Sequence, residues 1–153
     1  MKYYSLAVLT SSLLFSQVAL ADNFYCPPAL QCTSTDAQSC LSQSYQNWKV
    51  DAIGGSGDPL TVKPGLYYFT GALESANGSQ QRKASCSYKL ASAAIYSTID
   101  IKLKNQIAYA NTSASVVWQK QTATENGKEI FYYYCTSTDP NLCPFTFVKP
   151  SGN

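Results

Sequence analysis

The residues of this sequence best equipped for covalent chemistry are its cysteines: Cys26, Cys32, Cys40, Cys86, Cys135 and Cys143. Thiolate metal sites and redox pairs usually show C-x-x-C spacing, and none occurs here. An even cysteine count in an exported chain reads instead as disulfides. Two segments bear on the pairing. Cys32-Thr-Ser-Thr-Asp runs to Cys40, and Cys135-Thr-Ser-Thr-Asp runs to Cys143 across the same gap. Ser, Thr and Asp side chains bond nearby backbone N–H groups, so each segment can fold back and bring its two cysteines together. Ser34 or Thr35 would cap a short helix through Ser42, and Asp139-Pro140-Asn141 would form a tight turn. The expected bridges are Cys32–Cys40 and Cys135–Cys143, which leaves Cys26–Cys86. Spacing alone leaves the other connectivities open.

The sequence contains no histidine. That excludes Ser-His-Asp and Cys-His catalysis, the zinc sets that use His, and a His-based pH switch. Neither a G-x-S-x-G elbow nor an S-x-x-K motif on a helix is present. Carboxylates are few and scattered. Only Asp51 and Asp58, flanking a Gly-rich loop near Trp48, make a pair of the kind a glycosidase needs. Turn-forming, solvated acids account for the same two residues. No catalytic residue, metal ligand or cofactor is assigned.

Tyrosine is the remaining chemical signal, with 12 in the chain. Tyr67, Tyr68, Tyr132, Tyr133 and Tyr134 crowd two strand segments. Tyr is favoured on strands in any case. An exposed Tyr stripe is also rigid and amphipathic, suited to stacking on sugars or gripping a protein. Trp48, among Gln46, Asn47 and Lys49, is a surface candidate, whereas Trp118 follows two Val and reads as core.

These residues need a scaffold and a compartment. Met1 and Lys2 precede an apolar run from Leu6 to Leu20, and Ala19-Leu20-Ala21 supplies the small residues of a signal-peptidase site. Residues 1–21 therefore read as a signal peptide, with a secreted or periplasmic β domain over residues 22–153. The apolar run is short for a membrane span, so no stable membrane anchor is expected. Loss of Lys2 lowers the formal net charge from +2 to +1. A near-neutral domain has no electrostatic footprint for nucleic acid.

The body alternates short apolar-polar runs with turn signals. Residues 23–46 are polar and Cys/Pro-rich, with at most one short helix. Trp48, Val50 and Ala52 alternate with polar neighbours. Leu66 to Ala72 sets Tyr67 and Phe69 against Leu66 and Tyr68. Asn77-Gly78 marks a hairpin leading to Cys86, Tyr88 and Leu90. Ile95, Ile99, Ile101 and Leu103 oppose Tyr96, Thr98, Asp100 and Lys102, the pattern of a strand with one wet face. Val116 and Trp118 share a face before a second Asn-Gly turn, at Asn126-Gly127. Phe131 and Tyr133 then oppose Tyr132 and Tyr134, and Phe145 and Phe147 close as a short edge strand. About seven short strands without a long helical period predict a compact antiparallel β-sandwich or related barrel, stapled by disulfides.

Over residues 26–118 the chain resembles a family of small exported bacterial cysteine-containing β domains of unknown function. The shared features are Cys26-Pro27, Trp48, Pro64-Gly65-Leu66-Tyr67-Tyr68-Phe69, Ala72 and Cys86-Ser87-Tyr88. The resemblance implies a Gram-negative exported origin and no particular activity. The expected function is that of a non-enzymatic binding module for a protein or glycan, with Trp48, Tyr67, Tyr68, Tyr132, Tyr133 and Tyr134 as ligand-binding residues. Two other readings are a small hydrolase using Asp51 and Asp58, and a protease-inhibitor-like protein using the disulfide-bounded loop from Ser137 to Leu142.

Overall fold

A computed structural model describes residues 23–54, 61–76, 82–92, 97–104 and 107–147. The signal-peptide segment, Asp58, the Asn77-Gly78 turn and Ile95 lie outside them. The described chain is all-β: two antiparallel sheets held by three disulfides. The larger sheet runs β3 (Trp48–Gly54), β6 (Thr98–Leu103), β5 (Arg82–Leu90), β4 (Gly65–Ala76), β9 (Lys128–Cys135) and β8 (Trp118–Glu125). Strand β2 (Ala29–Cys32) pairs with the first part of β4, on the side that β9 takes further along. The smaller sheet runs β1 (Asn23–Phe24), β10 (Phe145–Phe147) and β7 (Ala108–Ala110).

Alternation sets the faces, and two bulges correct it. In β6, Ile99, Ile101 and Leu103 are buried while Thr98, Asp100 and Lys102 look outward. In β4 the register slips between Phe69 and Gly71. A bulge adds one residue and reverses the phase. Tyr67 and Phe69 therefore face inward before it, and Ala72 and Glu74 after it. Gly71 is required there: a Cβ would sit 2.7 Å from the Cys135 carbonyl oxygen. A second slip between Val50 and Ala52 leaves Ala52 exposed and lets Ile53 pack against the core.

Aromatic rings fill the space between the sheets. Phe24 lies 6.4 Å from Trp48 and 5.4 Å from Phe145, whose ring lies 5.1 Å from Trp118. Trp48 and Trp118 stand on the two edge strands, β3 and β8, of the six-strand run of the larger sheet. Six flat strands would separate its edges by about 24 Å, so the larger sheet curves around the smaller one. The Trp118 indole N–H donates to the Pro144 carbonyl at 3.1 Å.

Each small-sheet strand is anchored to the larger sheet. Two residues beyond Phe24, Cys26 is bridged to Cys86 on β5, and two residues before Phe145, Cys143 is bridged to Cys135 on β9. For β7 the anchor is Glu74, only 2% exposed, whose carboxylate accepts the Ala110 N–H at 2.6 Å. The register places Cys86, Ala72 and Cys135 side by side on β5, β4 and β9.

Several expectations change. The Cys/Pro-rich start carries two strands and two 3-10 turns, Ala37–Cys40 and Gln43–Tyr45, rather than one helix. Phe145–Phe147 is the middle strand of its sheet, because β1 and β7 flank it. Val116 is 98% exposed, since β8 begins only at Trp118. Three disulfides suit an oxidising environment, extracellular or periplasmic. No helix among the described residues is long and apolar enough to cross a membrane.

Replacing Cys26 and Cys86 together with serine should cost about 4 kcal/mol, against about 2.5 kcal/mol for the Cys32 and Cys40 pair, because the longer loop restricts the unfolded chain more. Denaturant titration of both variants checks this order. Burial, with a smaller contribution from nearby Tyr45, holds the Tyr88 phenol above its ordinary pKa of 10.0. Its O–H donates to the Pro27 carbonyl at 2.8 Å. The folded chain thus keeps a proton that the unfolded chain loses above about pH 10, so stability should fall as pH rises past that point. Melting curves at about pH 9 and about pH 11 should show this loss, and Tyr88→Phe should lessen it.

Candidate binding face

The five tyrosines and the one tryptophan expected at a surface divide between the two faces of the larger sheet. Tyr67 is fully buried, with its hydroxyl 3.0 Å from both the Lys63 carbonyl and the Ser97 hydroxyl. It is a core residue because it precedes the β4 bulge in the inward phase. Trp48 is also buried, at 6% exposure, because Phe24 covers its ring. Its rim lines a groove of about 420 Å³ shared with Gln38, Tyr45, Gln46 and Lys104. Tyr133 is half-buried on the inner face, packed against the core and edge-on to Phe131.

The other three occupy the outer face. Tyr68 is 52% exposed. Tyr132 and Tyr134, two residues apart on β9, are half-buried and stand opposite Gln121 and Gln119 on β8. Tyr132 donates its O–H to Gln121 Oε1 at 2.6 Å, and Tyr134 donates to Gln119 Oε1. On their other side, across β4, lie Ser75 and Leu73. The result is a strip of two phenols and two side-chain amides with no carboxylate among its members. Each Gln keeps its amide N–H groups as donors, and each phenol oxygen keeps acceptor capacity.

Beside Tyr68 an open groove of about 520 Å³ is lined by Pro28, Thr70, Lys89, Leu90 and Thr138. Thr138 belongs to the Cys135–Cys143 loop, so the second disulfide carries a wall of this groove. The two Cys-Thr-Ser-Thr-Asp segments fold alike. Ser34 and Ser137 hydroxyls accept the N–H of Asp36 and Asp139 at 3.2 and 3.0 Å. Asp36 and Asp139 carboxylates accept the N–H of Gln38 and Asn141, both at 2.9 Å. The cap of the first turn is therefore Asp36, not Ser34 or Thr35, because Ser34 is engaged in the turn before it. In the second segment Pro140–Leu142 is a 3-10 turn with Pro140 buried.

Asp51, the described member of the carboxylate pair, is exposed and forms an ion pair with Lys102 across the strands. Among the described residues no group of three His, Cys, Asp or Glu is placed to hold a metal ion.

The division between faces predicts unequal costs for the same chemical change. Tyr67→Phe should cost about 1–3 kcal/mol, because the buried Ser97 hydroxyl loses its hydrogen-bond partner. Tyr134→Phe, at an exposed pair, should cost less than about 1 kcal/mol. Paired denaturation curves test the contrast.

Comparison of the chain with protein-family models, curated proteins and solved structures finds no match.

Proposed function

We propose that this chain is an exported, non-enzymatic binding module that takes a neutral glycan on the outer face of its larger sheet. The observation that carries the reading is the strip of Tyr132 and Tyr134 with Gln121 and Gln119. Aromatic rings offer apolar area at small entropy cost, and adjacent amides and phenols supply the donors and acceptors that hydroxyl groups need. Export rests on the signal-like residues 1–21 and on three disulfides. A binding role without catalysis rests on the missing histidine and on Asp51 being engaged by Lys102.

A protein ligand is the second reading. The groove beside Tyr68 favours it, since Pro28, Leu90 and a disulfide-fixed Thr138 line it. A preorganised wall reduces the ordering cost of binding a chain segment.

Titration with neutral oligosaccharides, followed calorimetrically, separates the two. A glycan that binds the disulfide-bonded chain should lose roughly tenfold or more in affinity in Tyr132→Ala/Tyr134→Ala. It should lose little in Tyr68→Ala. Loss confined to Tyr68→Ala moves the site to the groove, and unchanged affinity in both variants rejects the outer face.

A further inference from the structure

The groove of about 420 Å³ at the rim of Trp48 lies at the β3 edge of the larger sheet, the edge opposite β8 and its Gln residues. Its size falls within the range of small-ligand sites, about 300–1,000 Å³. Gln38 reaches it from the first 3-10 turn, and Ser42, Gln43 and Gln46 from the second turn and its flanks. Lys104, the residue after β6, completes the lining.

The backbone that carries these side chains is fixed. The Asp36 carboxylate accepts the Gln38 N–H at 2.9 Å, and the Leu41 N–H donates to the Gln38 carbonyl at 3.1 Å. Between them Cys40 is bridged to Cys32. The first Cys-Thr-Ser-Thr-Asp loop therefore holds one wall of this groove, as the second holds Thr138 beside Tyr68. The Tyr45 N–H donates to the Ser42 carbonyl at 2.9 Å, and the Lys104 N–H donates to the Asn47 carbonyl at 2.8 Å. A frame set in advance lowers the ordering cost of binding.

The polar side chains, by contrast, are not used by the fold. Ser42 stands at the N-cap of its turn, where a serine hydroxyl ordinarily accepts a backbone N–H, and makes no such bond. Among the described residues the side-chain amides of Gln38, Gln43 and Gln46 form no hydrogen bond. Lys104 is the one charged residue of the lining, and no carboxylate faces it there. Apolar contact is limited to Leu41, Tyr45 and the rim of Trp48.

We propose that this groove binds a sugar acid of the hexuronate class. Side-chain amides both donate and accept hydrogen bonds, which matches ligand hydroxyl groups. The unbalanced ammonium supplies the partner for a single carboxylate. A peptide would need a pocket for an apolar or aromatic anchor, and the lining offers only Leu41 and ring edges. The site shares no residue with the Tyr132 and Tyr134 strip, so each stands or falls alone.

Calorimetric titration of the disulfide-bonded chain with glucuronate tests this, with glucose and acetate each supplying half of its chemistry. The expected result is saturable glucuronate binding that weakens as salt rises, with glucose and acetate weaker by roughly fivefold or more. Lys104→Gln, at an exposed position, should abolish the preference for glucuronate over glucose. Gln43→Ala/Gln46→Ala should weaken both sugars, and Tyr132→Ala/Tyr134→Ala should change neither. Melting curves establish that each variant is folded. Absence of saturation by about 10 mM overturns the proposal. So does acetate binding as tightly as glucuronate, or a preference that survives Lys104→Gln. Loss of glucuronate in the Tyr132→Ala/Tyr134→Ala variant overturns it in favour of the outer face. Tighter binding of triglutamate than of glucuronate overturns it in favour of an acidic peptide.

Discussion

The attachment of a small sheet to a large one is the constraint on which the rest of this structure depends. Strands of two or three residues form too few ladder bonds to persist alone. Each is anchored instead to the larger sheet: β1 by Cys26–Cys86, β10 by Cys135–Cys143, and β7 by Glu74. With those ties in place, Phe24 and Phe145 are held under the concave face and reach both edge tryptophans. Without them, the inner face of the larger sheet would lose its cover. The disulfides thus act through the hydrophobic core they close as well as through chain entropy.

Local pattern made much of the larger sheet legible. The alternation in β6, the opposition of Phe131 and Tyr133 to Tyr132 and Tyr134, and the Asn126-Gly127 turn are properties of neighbouring residues. So is the repeated Cys-Thr-Ser-Thr-Asp segment, whose two copies close bridges of the same separation. The small sheet was not legible, because its strands are too short to carry a period and are specified by what lies over them. Glu74 reads as an ordinary surface acid until the β4 bulge turns it inward toward Ala110. Trp48 has polar sequence neighbours, yet Phe24, distant in sequence, covers it. Of the six proposed binding residues, the sequence could place Tyr132 and Tyr134 on a common face but could not say which face stayed wet.

The row formed by Cys86, Ala72 and Cys135 bears on how the bridges form without error. These two cysteines belong to different disulfides yet lie in neighbouring positions of the same cross-strand row. Strand β4 separates them by two strand spacings, about 9.5 Å. A disulfide cannot span Cα atoms more than about 7 Å apart without backbone movement. Once β4 has inserted between β5 and β9, the wrong bond between them is out of reach. Thiol exchange among the remaining cysteines then has fewer products to sample. The central strand, which contributes no cysteine itself, serves as the proofreader of oxidative folding.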